Sequence, residues 1–495
     1  ARHRDSDGKI TPDEWRAGYA RYVSPTTALM SGMRQYTTKA ALEAARRDHA
    51  SKAPGEADDV ALLDAQWLLK FDTSAGGPPC RQQLPADAFF AGSVDADDVE
   101  VLSISYPWLT KEHPDPEGWH LKIVQHFLNL YFTMEGKGED KDRNWRTLPP
   151  AGAGKRIAVF WDWMSLFQEH NPSGRTDAQA ASFKRALKSI NVWYASATTM
   201  VWRLTKLPPA PRPGHDIKPY ELRGWCFFEL AVGEMITAGG CVLDLGLAVE
   251  ADGTCFDASR FLGGGYGGGW VAAKDDPMGA SQPTVAKTCS QQRKFPIGAA
   301  AFSDALDGKG ADGQARVFTN GADAEFVKGK YADTFTAVVA GASELNLANV
   351  GLFAPLAELA PALELCGPRL RALDLSKNGR LSGGLEALGA CAVLETLKLR
   401  ECRGLTGDLG PLQGLTTLTH LDLRYCKFTG DLGPLQGLTQ LTHLDLNNCE
   451  RLIGDVWPLE GLTQLTHLGL YDCNKLTGDK DGLMEAAKRR TTWYP

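Results

Sequence analysis

Between residues 99 and 246, short apolar runs alternate with longer amphipathic ones. The runs cover 99–105, 157–163, 198–204 and 241–245, and segments of helical spacing lie at 119–132, 178–194 and 221–237. Strand-sized apolar runs joined by helix-sized connections predict βαβ units, and so a parallel sheet covered on both faces. Beyond residue 340 the pattern becomes a strict repeat. Leu-x-Leu pairs fall at 345/347, 373/375, 397/399, 421/423, 444/446 and 468/470, spaced 24, 24, 23 and 24 residues after the first gap. The last five pairs are followed three residues on by Asn378, Cys402, Cys426, Cys449 and Cys473. Each pair predicts one short parallel strand with its leucines inward. One unit cannot bury those leucines alone, so the units must stack into a solenoid.

The remaining stretches carry weaker patterns. Residues 26–52 and 57–70 read as helical and stop at Gly76-Gly77-Pro78-Pro79, a strong breaker. Residues 136–155 are polar and rich in Pro and Gly, predicting an exposed loop, and 263–269 form a flexible glycine tract. Helical spacing returns from Ala322. The chain therefore divides into 1–25, a helical connector 26–89, an α/β domain 90–250, a Gly-rich and small helical region 251–339, the repeat array 340–480 and a C-terminal cap or tail 481–495.

Composition narrows the function classes. The 495 residues carry a net charge of −7, which leaves no basic footprint for a nucleic-acid backbone. No run of about 18 apolar residues is present to span a membrane. Eleven cysteines, without a Cys-x-x-Cys pair and partly locked to the repeat, predict reduced thiols and a cytoplasmic location. Gly154-Lys155 fails as a phosphate loop, because the spacing is wrong and no Ser or Thr follows the Lys. No Ser-His-Asp or Cys-His arrangement is readable.

In parallel sheets chemistry gathers outside the carboxyl ends of the strands. Ser105, Tyr106 and Trp108 follow the first strand there, Asp162 and Trp163 close the second, and Arg223, Trp225 and Glu229 open the third helix. In the repeat array, side chains flanking the leucines face the concave side. They include Lys398, Arg400, His420, Asp422, Arg424, His443, Asp445, Asn447, His467 and Tyr471, a mixed-charge surface suited to a protein or peptide partner. His420, His443 and His467 form a column on strands about 4.8 Å apart. Near-identical repeats produce such a column without function. A metal ladder, or a charge change near pH 6 that tunes binding, are the functional readings.

Three resemblances follow from these motifs. The unit best seen at 405–423 is similar to the leucine-rich repeat. Asp5-Ser6-Asp7-Gly8-Lys9-Ile10-Thr11-Pro12-Asp13-Glu14-Trp15 resembles the second part of an EF-hand loop. That resemblance implies calcium on Asp5, Asp7, Lys9 and Glu14, with His3 standing where an Asp is usual. Trp225-Cys226-Phe227-Phe228-Glu229-Leu230 resembles the Trp-Cys-x-x-Glu-Leu signature of TIR domains. Ser103-Ile104-Ser105-Tyr106-Pro107-Trp108, Phe160-Trp161-Asp162 and Arg223-Gly224-Trp225 are similar to motifs of the TIR-like fungal heterokaryon-incompatibility (HET) domain. That likeness implies a flavodoxin-like parallel sheet. It also implies NAD as substrate, with Tyr106, Trp108 or Trp163 stacking a planar base, Asp162 on a ribose hydroxyl and Arg223 on a phosphate. Glu229 would be the residue required to release nicotinamide, and self-association would complete the site. Phe167 and Phe228 depart from the HET pattern, which has Asn and Gln there. Two functions stay open: a sensor-effector that consumes NAD, with calcium as a regulator, and a non-catalytic interaction scaffold.

Overall fold

The computed structural model describes residues 38–47, 58–136, 156–169, 174–196, 198–236, 241–257, 285–289, 295–340, 342–348 and 351–491. The calcium-loop residues Asp5, Asp7, Lys9 and Glu14 lie outside these, as do the glycine tract and most of the 136–155 loop. Contacts separate an α/β unit, built from 38–291 with 298–335, from a repeat unit that contains 336–495.

The α/β unit is organised on five strands, β1 (Leu63–Asp64), β2 (Val99–Ser105), β3 (Arg156–Phe160), β4 (Thr199–Arg203) and β5 (Val242–Asp244), in the spatial order β1-β3-β2-β4-β5. The last four are parallel, close to the runs expected from the sequence. Helix α1 (Trp119–Gly136) joins β2 to β3, α2 (Asp177–Lys188) and α3 (Ile190–Ala195) join β3 to β4, and α4 (Gly224–Ile236) joins β4 to β5. Alternation along the strands sorts the core. Leu102, Ile104, Val159, Trp202 and Leu243 pack with Leu121, Val124 and Phe127 of α1. Their neighbours face the other way, where Phe160 stacks on Trp193 at 5.2 Å and Ser103 Oγ donates to the Trp193 carbonyl. Buried on both faces, these strands need the continuous apolar runs that the sequence provides.

Two boundaries differ from the sequence reading. Residues 57–70 are not one helix: Leu63 and Asp64 pair antiparallel with Val159 and Ala158 at the sheet edge. Asp64 then accepts the Gln66 and Trp67 amides and starts a helix at Ala65. An N-cap carboxylate favours a helix beginning after it, which is what ends the strand here. The helix expected at 178–194 breaks at Ser189, which leaves helical geometry between α2 and α3.

In the repeat unit each Leu-x-Leu forms one strand: β6 (Glu344–Asn346), β7 (Ala372–Asp374), β8 (Thr396–Lys398), β9 (His420–Asp422), β10 (His443–Asp445) and β12 (His467–Gly469). They make a parallel six-stranded sheet in chain order. Between them β11 (Gly454–Asp455) and β13 (Leu476–Thr477) pair separately. The leucines are buried, and the Asn/Cys column sits beneath the turn as expected. Asn378 Nδ2 donates to the Leu347 carbonyl of the preceding turn. The thiols of Cys402, Cys426, Cys449 and Cys473 donate in the same way to Leu375, Leu399, Leu423 and Leu446 at 2.9–3.1 Å. The residue before each, Lys377, Glu401, Tyr425, Asn448 or Asp472, has φ near +60°. That left-handed step turns the chain so that the Lys377, Glu401, Tyr425 and Asn448 amides reach carbonyls of the next turn. A helix at Lys480–Thr491 closes the end, with Arg490 donating to the Leu462 and Leu465 carbonyls.

Candidate functional site

The expected crevice lies where β2 meets β4, the point at which the crossovers change direction, and it is filled. Glu229 on α4 reaches inward to the end of β2, where the Ser105 hydroxyl donates to its carboxyl group. Tyr220, fully buried on the turn before α4, bonds Ser105 Oγ at 2.6 Å. Either hydroxyl can donate in that contact, and the Ser105 oxygen links Tyr220 to Glu229. Glu229 is 7% exposed. Burial, with Asp162 nearby adding negative charge, pushes its carboxyl well above the usual carboxylate range, outweighing the hydrogen bonds from Ser105 and Tyr194. The protonated form is favoured, which is unsuited to stabilising a developing oxocarbenium ion.

The other expected site residues gather close by, but their polar groups are committed. Asp162 accepts from the Tyr106 hydroxyl at 2.9 Å, from Trp108 Nε1 at 3.4 Å and from the Trp163 amide at 2.6 Å. It opens a short helical turn after β3 instead of ending the strand. Trp163 is buried, donates Nε1 to the Pro78 carbonyl and meets Trp108 edge-on at 5.6 Å. Arg223 is correctly near but wrongly employed for a phosphate. Its guanidinium donates to the carbonyls of Lys218, Trp108 and Asp216, and it pairs with the Asp216 carboxylate at 3.3 Å. Trp225 Nε1 donates to the Asp323 carboxylate at 2.9 Å, and the ring meets Phe228 edge-on at 5.9 Å. Sequence reasoning missed Tyr220, Tyr194 and His120. His120 lies fully buried edge-on to Tyr106 at 5.4 Å, and a cavity of about 300 Å³ lined by Arg46, Asp58, Arg81, Phe89 and Phe167 contains none of the expected site residues.

On the repeat sheet the strand register aligns two outward rows. The first runs Glu344, Ala372, Thr396, His420, His443, His467, and the second Asn346, Asp374, Lys398, Asp422, Asp445, Gly469. Second-row carboxylates are structural. Asp374, Asp422 and Asp445 each accept the amide two residues on, from Ser376, Arg424 and Asn447. Arg424 clamps Asp422 through Nη2 and Nε at 2.6 and 3.0 Å and reaches Asp445 at 3.2 Å. Asp422 and Asp445 are therefore buried and offer little surface to a protein or peptide partner. The outer surface is left to Lys398, Arg400, Asn447, His467 and Tyr471, the last 76% exposed. His420, His443 and His467 stack in parallel at 4.0 and 4.1 Å. Burial and the neighbouring imidazoles lower His443 to about 4, below the expected window near pH 6, and burial beside Lys398 lowers His420 from its ordinary value.

Comparison with known proteins bears on the repeats alone. No curated protein matches the chain. Among solved structures, the chain is similar to the leucine-rich-repeat ectodomain of the receptor kinase SOBIR1 from Arabidopsis thaliana, with 25% identity and a TM-score of 0.24 over 27% of this chain and 72% of that one. It is also similar to a chain of the BIR3–SERK2 complex of the same plant, at 28% identity and a TM-score of 0.20, covering 24% of this chain and 61% of that one. A third is the Arabidopsis receptor kinase HAESA in complex with the peptide hormone IDA and the co-receptor SERK1. The identity is 30% and the TM-score 0.23, over 27% of this chain and 22% of that one. The chain thus spans less than two thirds of the second and third. Residues 416–456 match the family described as Leucine Rich repeats (2 copies), and with the neighbouring turns of the same period they form a leucine-rich-repeat array.

Proposed function

We propose that the protein is an interaction scaffold whose repeat sheet takes a protein or peptide partner, and that its α/β unit works without cleaving NAD. The observation that carries the first part is the outward row geometry. The parallel sheet aligns the strands that carry Lys398 and His467, and Arg400, Asn447 and Tyr471 follow strands of that sheet, side chains that mix charge, hydrogen bonding and an exposed ring. The buried carboxyl of Glu229 and the Tyr220 ring seated at the strand ends support the second. Eleven free cysteines accord with a reducing, cytoplasmic setting, and no helix among the described residues is long and apolar enough to cross a membrane. Calcium binding by the loop at 3–14 is a proposal from sequence alone, and calcium titration followed by Trp15 fluorescence tests it.

The central test is selection of binders from a random peptide library on the full chain, followed by affinity measurement. Lys398→Glu with Tyr471→Ala should weaken selected peptides by about tenfold or more, as loss of an aromatic anchor does. Equal binding by the variant and the parent would remove the sheet from the reading. In parallel, NAD is incubated with concentrated protein, with and without calcium. No nicotinamide is expected. Release that Glu229→Ala abolishes would replace the scaffold reading with an NAD-consuming effector that self-association activates.

A further inference from the structure

We propose that His443, Asp445 and His467 form a binding site for a divalent transition metal of zinc-like character on the outer face of the repeat sheet. This goes beyond partner binding and does not depend on it.

The strand register creates the cluster. His443 and His467 are direct partners across β10 and β12, and Asp445 lies two residues beyond His443, hence on the same face. One donor atom from each residue falls within 4.8 Å of the other two. His467 Nε2 is already 3.5 Å from Asp445 Oδ2, close to the separation of about 3.4 Å that two tetrahedral bonds of about 2.1 Å require. The imidazoles stack at 4.1 Å, and a shared ion needs the half-exposed His467 ring to turn out of that stack, with solvent on its outer side.

Periodicity alone does not explain the cluster, because the sequence breaks its own repeat there. Where β7, β9 and β10 carry Asp374, Asp422 and Asp445, β12 carries Gly469. A Cβ at Gly469 would lie 2.6 Å from Asp445 Oδ1 and 2.7 Å from Asn447 Nδ2. The missing side chain thus leaves the room that the Asp445 carboxylate and the Asn447 side-chain amide occupy beside His467. That carboxylate is also oriented. Its Oδ1 accepts the Asn447 amide, which aims Oδ2 along the sheet toward His467. A fixed outer partner of this kind raises the quality of a ligating carboxylate. Arg424 Nε, 3.2 Å from the same oxygen, is the resident competing cation, and it keeps two bonds to Asp422 when the metal takes Asp445.

Two imidazoles and one carboxylate are the donor set of zinc sites that keep an outward position for a further ligand. Hard ions such as Ca²⁺ and Mg²⁺ prefer all-oxygen shells and are not expected here.

The test is titration of the full chain with Co²⁺, whose visible absorption reports a low-coordinate site containing nitrogen, followed by displacement with Zn²⁺. The parent should show saturable absorption that Zn²⁺ removes. His467→Ala and Asp445→Asn should each weaken binding by about tenfold or more, while His420→Ala, next in the stack, should stay within about twofold. His467 is at the surface, so its variant is expected to fold, and unchanged circular dichroism checks that. Absorption of equal strength in the parent and His467→Ala, or no saturable absorption in the parent, would overturn the assignment.

Discussion

The Ser105 hydroxyl donates to the Glu229 carboxyl group, tying the end of the first parallel strand to the helix that packs across it 124 residues later. The contact lies at the place where an α/β sheet would open a catalytic crevice. Tyr220 completes it from the other side, so a three-member polar chain seals the strand ends inside the core. The residue with the strongest resemblance to a catalytic carboxylate is thus part of the packing.

That burial predicts a pH signature. The Glu229 carboxyl is raised well above 4.5, chiefly by desolvation, so the folded state keeps a proton that the unfolded chain releases. Stability from this group is fully present below about pH 4.5 and is lost as pH rises toward the folded value, at about 1.4 kcal/mol per unit. Glu229→Gln, which keeps a neutral group of the same shape, should match the parent near pH 4.5 and become progressively more stable than it toward pH 7. Urea denaturation across that range measures the difference. Parallel curves would show that Glu229 does not titrate as its burial demands.

His120 gives the opposite slope. Its ring is fully buried, its Nε2 bonds the Pro107 carbonyl at 3.1 Å, and its Nδ1 has no hydrogen-bond partner among the described residues. Burial lowers the imidazole from 6.5 to about 3. The unfolded chain takes up the proton first, so stability is whole above pH 6.5 and falls as pH drops toward 3. His120→Gln should flatten this acid limb relative to the parent, whatever it costs at neutral pH. An acid limb of unchanged steepness in the variant would assign the proton uptake elsewhere.

The repeat thiols should be chemically silent. Cys402, Cys426, Cys449 and Cys473 donate to carbonyls of the preceding turn and are buried, which pushes Cys402 up to about 12 and raises the other three. Thiolate is the reactive form, so native protein treated with iodoacetamide at about pH 8 should leave all four unmodified, and urea should expose them. Mass spectrometry reads the outcome. Cys426→Ala, which empties a packed site and leaves the Leu399 carbonyl with the Cys402 amide as its donor, should destabilise by about 1–3 kcal/mol. Rapid native alkylation would contradict the closed ladder.

Much of the fold was legible because hydrophobic periodicity is a local property. Four apolar runs of strand length marked β2 to β5 within a few residues, and each Leu-x-Leu marked one strand of the solenoid. Asn378 and the cysteines after the leucines announced the turn chemistry, since only a small donor at that offset reaches the carbonyls above. The antiparallel edge of Leu63 and Asp64 was not legible. Two residues are too few to show a period, and the pairing with Val159 lies far along the chain.

The site was decided by tertiary structure. Sequence determined which residues stand near the strand ends and which rows face outward, because alternation and repeat length fix both. It did not determine how their polar groups are spent. Tyr220 fills the crevice, Arg223 is saturated by carbonyls, Arg424 buries Asp422 and Asp445, and Gly469 makes room for the Asp445 carboxylate. These depend on which donor meets which acceptor, in several cases across tens to more than a hundred residues, and on whether water is excluded there. A one-dimensional pattern records the side of an element a residue occupies, while its partners and its protonation are set only when the elements close on one another.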